Sequence, residues 1–238
     1  RIASNDFFAV SKDVVSKMIA GEYTAQQAYR AFNAQLLAEE TPADDEIVLT
    51  SGKSYSNVFH ANGGSASFSV MANTLRGVYG TDVLLATANS FTGSVLQADY
   101  NKKMAASMIM PNGLMSRQRT MTGAELKETV RAFVEGCEGG FVPFNRGSLP
   151  VVSGIAVEVK EAGGSYTLTG ITRNGQPLGD DDTVTVTCLA AENQMEALLA
   201  SESGRSLDGD TWVKNRWRDH VSGGGAALAE PENYMTLR

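Results

Sequence analysis

The spacing of apolar positions changes along the chain, and each change marks a different kind of structure. After Ser11, Val14 with Met18 and Val15 with Ile19 recur four apart, and Gly21 closes the stretch, which predicts a capped helix. Thr24 and Gln27 then stand at capping-box spacing ahead of Ala28, Phe32 and Leu36, the stripe of a second helix. Together they form an N-terminal helical hairpin. The acidic run from Glu39 to Glu46 separates it from the rest, and a solvated linker explains that run better than a metal site. The chain therefore divides into residues 1–46, hairpin and linker, and residues 47–238.

The second part alternates in type. Ile47–Thr50 reads as a short strand, residues 67–79 as a helix with Phe68, Met71, Leu75 and Val78 on one face, and Asp82–Thr87 as an apolar strand, a β-α-β order. A helix over 101–110 stops before Pro111, a strand covers 114–121, and Thr122 with Glu125 caps a helix reaching Gly136. The period then drops to two. Ile155, Val157 and Val159 alternate with polar residues, Asn174-Gly175 marks a tight turn, and Val184, Val186 and Cys188 mark another strand, so this region reads as an antiparallel meander. Residues 195–200 form a short helix. Val213, Trp217 and Val221 stripe a final one, which Trp212 and Trp217 pack onto the body. The fold class is α+β: a mixed, largely antiparallel sheet with packed helices, flanked by the hairpin and a C-terminal helix.

Composition narrows the chemistry. With 238 residues, 42% of them hydrophobic, the chain can build its core without disulfide or zinc staples. A net charge of −7 without a visible Lys/Arg cluster argues against a nucleic-acid partner, and apolar runs such as Val83–Ala86 fall far short of the ~20 residues a membrane-spanning helix needs. Two His and two Cys are too few for a dinuclear metal centre or a Cys/His zinc site. Cys137 and Cys188 could pair, but Cys188 lies on the apolar side of its strand, which favours a buried free thiol. The chain starts at Arg1 without Met or signal sequence, so it reads as a mature product or an excised piece.

No nucleophile elbow, phosphate-binding P-loop, His-Glu-x-x-His or dinucleotide fingerprint is present. Gly63-Gly64-Ser65 could offer amides to an anion with His60 beside it, although a loop that simply starts a helix is the preferred reading. Asp180-Asp181-Asp182 is better explained by turn chemistry than by a cation. In the loop from Gly139 to Gly147, Phe141 and Phe144 need a cover, which core, partner or planar ligand could each supply.

Five stretches in a fixed order resemble the C-terminal domain of the 5′-nucleotidase family, which includes UDP-sugar hydrolases and 2′,3′-cyclic-nucleotide phosphodiesterases. They run from Ala72-Asn73-Thr74-Leu75-Arg76-Gly77-Val78-Tyr79-Gly80-Thr81-Asp82-Val83 through Pro111-Asn112-Gly113 with its following strand and Thr122-Gly123-Ala124-Glu125, to Pro150-Val151-Val152-Ser153-Gly154-Ile155. Asn174-Gly175-Gln176-Pro177-Leu178 and the strand Thr183–Thr187 complete the series. The resemblance implies the non-catalytic, nucleoside-recognising domain of a secreted, cell-surface or periplasmic bacterial metallophosphoesterase that breaks down nucleotides. Its expected partners are a nucleoside or nucleotide and an N-terminal metallophosphoesterase domain of the same polypeptide. That domain would hold the divalent metal pair; none is expected in this chain, which alone would not hydrolyse phosphate esters.

The departures from the family pattern fall where its ligand contacts lie. Ala88-Asn89-Ser90-Phe91-Thr92-Gly93 replaces a Gly-Gly-x-Arg segment, Asn112 replaces an aromatic, and a second aromatic position falls near Ala191 or Glu192. The loop from His60 to Gly64 replaces basic residues. The candidate ligand residues are accordingly Asn89, Phe91, Thr92, Asn112, Phe144 and His60, with Phe91 and Phe144 rebuilding an aromatic clamp. The alternative is a degenerate structural or docking module of a cell-surface protein that binds no nucleotide.

Overall fold

A computed structural model describes residues 46–109, 114–135, 150–191, 211–223 and 227–238, together with Lys17, Ala20 and Gly21. The chain divides into two units, Arg1–Glu46 and Ile47–Arg238, and the described residues belong almost entirely to the second. Of the expected hairpin, Lys17 is helical and Gly21 has φ +74°. The rest of it, with the acidic linker and the expected helix over 195–200, lies outside the described residues.

Ile47–Ser51 forms β1, followed by the short strands β2 (Phe59–His60) and β3 (Gly64–Ser65). Helix α1 (Ala66–Tyr79) starts at Ser65, whose hydroxyl accepts from Phe68 N–H. It ends at Gly80, which at φ +65° takes the left-handed conformation that glycine adopts without steric cost. Then come β4 (Val83–Thr87), β5 (Ala98–Asn101) and a five-residue helix α2 (Lys102–Ala106). The helix expected over 101–110 starts on time and is shorter than expected, ending at Ala106: Asn101 caps it, its side chain accepting from Met104 N–H while its backbone still pairs with β1.

Strand β6 (Leu114–Thr122) leads directly into α3 (Gly123–Glu135). The capping box is reciprocal, with Thr122 N–H donating to Glu125 Oε2 at 2.8 Å and Glu125 N–H to Thr122 Oγ1 at 3.2 Å. The remaining elements are β7 (Pro150–Ser153), β8 (Ala156–Ala162), β9 (Ser165–Arg173), β10 (Gln176–Pro177), β11 (Thr183–Ala191), β12 (Thr211–Trp212), α4 (Val213–Ser222) and β13 (Met235–Leu237).

These strands form a five-stranded mixed sheet in the order β12-β6-β11-β4-β7 and a four-stranded sheet β10-β9-β8-β13, with β1-β5 and β2-β3 as small ribbons. Two expectations change. β1 pairs antiparallel with β5 rather than joining β4, so no β-α-β crossover links them. β11 also leaves the meander formed by β8, β9 and β10, and lies in the larger sheet, parallel to β4 and antiparallel to β6. Its burial explains the move, because Val184, Val186 and Cys188 on one side and Thr187 on the other are all buried, as a central strand requires.

The Asn174-Gly175 turn has positive φ at both residues, 52° and 75°, and joins β9 to β10. Strand β13, which no local periodicity announced, pairs parallel with β8. Its other edge is held by the segment before β3, through Gly63 N–H to Met235 O and Leu237 N–H to Ala61 O, both 2.7 Å.

One continuous core joins both sheets and includes Leu75, Leu85, Val151, Val157, Leu126 and Trp217. On α4, Val213, Trp217 and Val221 are the buried residues, and Trp217 Nε1 donates to Ala105 O on α2 at 2.7 Å. The Trp212 side chain lies outside the described residues. Among the described residues, no helix is long and apolar enough to cross a membrane. Replacing Trp217 with Ala removes a fully buried ring and its hydrogen bond, and is expected to lower unfolding free energy by about 3–5 kcal/mol in urea titrations.

Candidate functional site

Parallel pairing of β4 with β11, and antiparallel pairing of β6 with β11, bring three chain segments to one end of the larger sheet. These are the residues after Thr87, the start of β6 at Leu114, and the end of β11, where Ala191 faces Leu114 in the register. The carboxyl ends of parallel strands are where sheets of this kind commonly receive ligands. The expected ligand residues after β4 stand here. Asn89 is exposed in the 3₁₀ turn Ala88–Ser90. Thr92 is also exposed, its hydroxyl donating to Ser107 O at 2.6 Å and its N–H to Met108 O at 3.1 Å.

Phe91 sits differently from its neighbours. Its ring is buried, 6.0 Å between centroids from Phe68, and its backbone bridges to Ile109. It closes the core beneath this edge. Asn112 and Phe144, together with Phe141 and Cys137, lie outside the described residues. His60 is exposed on β2, in register with Gly64, within the segment that holds the C-terminal strand.

The Gly63-Gly64 loop serves packing. A Cβ on Gly64 would stand 2.2 Å from the Tyr234 ring, and Ser65 N–H donates to the Tyr234 hydroxyl at 3.1 Å. Ser67 N–H donates to Ser56 O and Phe68 N–H to Ser65, so the first amides of α1 are engaged within the chain. That agrees with the preferred reading of this loop as the start of a helix. Asp180-Asp181-Asp182 likewise acts as a turn: Asp182 Oδ2 accepts from Gly179 N–H, while Asp180 and Asp182 carbonyls accept the first amides of α3. Cys188 is a buried free thiol, and burial pushes its pKa up to about 12, which keeps it neutral and unreactive. Among the described residues no group of three or more His, Cys, Asp or Glu is placed to hold a metal ion.

The opposite end of β4 carries a polar cleft that the sequence did not announce. Its cavity measures about 380 Å³, and Arg76, Asp82, Arg173, Asn174, Glu232 and Asn233 supply its side chains. Asp82 is the hub. Its Oδ2 accepts from Thr185 N–H at 2.8 Å and Thr185 Oγ1 at 2.9 Å, and its Oδ1 accepts from Arg173 Nη2 at 2.5 Å. The Thr185 amide, ahead of the hydroxyl and Arg173, holds the Asp82 carboxyl below its ordinary pKa of 3.8 against a smaller opposing effect of burial.

Arg76 donates through Nε to Ser153 Oγ at 2.8 Å, and Ser153 in turn donates to Asn73 Oδ1. Gly154 has φ +82°, and a Cβ there would lie 2.0 Å from Asp82 O, so only glycine permits this approach of β7 to β4. Arg76, Asp82, Ser153, Gly154, Asn174 and Thr185 all come from the stretches that carry the family resemblance. Four of the five stretches thus meet in space at one joint.

No protein-family model matches the sequence, and no curated protein matches it. Solved structures do match its fold. The 5′-nucleotidase precursor of Thermus thermophilus superposes with a TM-score of 0.64 at 14% identity, over 90% of this chain and 43% of its own. NAD nucleotidase of Haemophilus influenzae gives 0.60 at 15%, over 91% and 42%, and sulfate thiohydrolase SoxB of Thermus thermophilus gives 0.63 at 13%, over 90% and 39%. The chain thus has the mixed α+β fold found in 5′-nucleotidase structures, and spans about two fifths of the length of the proteins it matches.

The lowered pKa of Asp82 gives a pH-dependent contribution with a fixed sign. A carboxyl whose native pKa is depressed stabilises the fold above its unfolded value, and the contribution disappears as pH falls through the native value. Asp82→Asn is therefore expected to lower stability at pH ~7 by about 1–2 kcal/mol. In thermal melts at decreasing pH, the gap between the two proteins should narrow below pH ~4.

Proposed function

We propose that this chain is the non-catalytic, nucleoside-recognising domain of a 5′-nucleotidase-like metallophosphoesterase, exported to the cell surface or periplasm. The observation that carries the reading is a fold likeness covering nine tenths of this chain but only about two fifths of the nucleotide-processing enzymes it resembles. The rest of such a protein would hold the metal pair and perform hydrolysis. The described residues here offer no set of ligands that fits one.

The nucleoside is assigned to the carboxyl edge of β4 and β11, with Asn89 and Thr92 contributing polar contacts. His60, Asn112 and Phe144 complete the proposed set. The neighbouring folds include a sulfate thiohydrolase, so the fold supports a place for the ligand and leaves its identity to the residues at that edge. A second reading, a docking module without nucleotide binding, draws support from Phe91, whose ring lies against Phe68 and is withdrawn from any clamp.

Calorimetry on the whole chain with uncharged adenosine and uridine separates the two. Nucleoside recognition predicts saturable heat, weakened about 2–10-fold by Asn89→Ala through loss of one hydrogen bond. Phe144→Ala should weaken it about 5–150-fold through loss of one stacking ring. Absence of heat with either nucleoside at millimolar concentration rejects nucleoside recognition and leaves the docking module.

A further inference from the structure

The cleft around Asp82 lies a full strand length from the proposed nucleoside edge, since β4 separates Asp82 from Asn89 by roughly 15 Å of extended chain. Its two guanidinium groups are held from behind. Arg173 is fixed by the Asp82 carboxylate, whose remaining oxygen is taken by Thr185, and among the described residues Arg173 Nε and Nη1 have no hydrogen-bond partner. Arg76 is fixed through Nε by Ser153, itself held by Asn73, while its Nη1 makes only a long 3.5 Å contact with Asp82 O. Among the described residues, the carboxylate near Arg76 Nη2 is that of Glu232, at 4.0 Å and 55% exposed, too distant for a hydrogen bond.

We propose that this cleft binds a small oxyanion, the carboxylate or phosphate group of a metabolite, between Arg76 and Arg173. A planar fork held by its own supporting hydrogen bonds loses little freedom on binding, and a carboxylate or phosphate matches its paired donors. Asp82 does not oppose the ligand strongly, because three donors already spread its charge. Glu232 does: its carboxylate occupies the rim of the position the ligand would take, and swings away on binding. The chain's net charge of −7 disfavours diffuse anion binding, so an anion that binds must be held locally.

The test is an NMR titration of the whole chain, following the backbone amides of Gly154 and Gly175 in the cleft wall, with inorganic phosphate and with malonate as separate probes. The expected result is a saturable shift with at least one probe, and which probe binds more tightly identifies the source of the oxyanion. Glu232→Gln, a rim substitution, is expected to tighten binding about 3–10-fold at low salt by removing the competing charge. Arg173→Lys, which keeps the charge but loses the fork, should weaken it at least about 5-fold. The proposal is overturned if neither probe moves these amides, or if Glu232→Gln leaves the affinity unchanged. Should Arg173→Lys fail to fold, the wild-type and Glu232→Gln titrations decide the matter alone.

Discussion

The fold turns on the carboxylate of Asp82. One residue after the Gly80 cap of α1 has released the chain into Thr81, it receives the Thr185 amide and hydroxyl from β11 and the Arg173 guanidinium from the end of β9. The larger sheet, the smaller sheet and the principal helix thereby meet at one group. An exposed ion pair alone would contribute little, about 0–1 kcal/mol. What gives this one structural weight is the Thr185 amide and hydroxyl, which fix the carboxylate's position as well as its charge. Gly154 allows β7 to pass against the Asp82 carbonyl, and Arg76 ties β7 back to α1 through Ser153.

That joint lies at one end of the larger sheet, and Asn89 and Thr92 stand at the other. Four of the five stretches in which the chain resembles the 5′-nucleotidase family contribute residues to the joint, and Arg173 adds to it from outside them. Among the described residues, the departure from Ala88 to Gly93 stands at the other end of β4. A sheet whose central strands are fixed at their start can change its carboxyl-end loops without losing its register, because the nine-residue pairing of β6 with β11 holds it. The same scaffold can then appear in enzymes as different as a nucleotidase and a sulfate thiohydrolase.

Much of the described fold was legible from local chemistry. The Thr122–Glu125 capping box, the Asn174-Gly175 turn and the Val213/Trp217/Val221 stripe depend on neighbours within a few residues, and each is found as expected. What failed to read was long-range partnership. The hydrophobic alternation of β11 suits a meander as well as a central strand, and β1 is as compatible with β4 as with β5. Strand β13, three residues long, has no period to detect. Of the candidate site, Asn89 and Thr92 stand exposed at a strand edge suited to ligands, whereas Phe91, which lies between them in sequence, is drawn into the core by Phe68.

The sequence by itself determined the type of the main described elements, the Thr122–Glu125 cap, the Asn174-Gly175 turn, the α+β class and the scarcity of His and Cys, because these follow from residue chemistry and short spacing. Only the tertiary structure decided which strands are neighbours and that Arg76, Asp82 and Arg173 line one cleft. The reason is physical. A carboxylate such as Asp82 shows no preference in sequence between solvent and a guanidinium 91 residues away, and its environment is set only when strand pairing brings that group within hydrogen-bond reach.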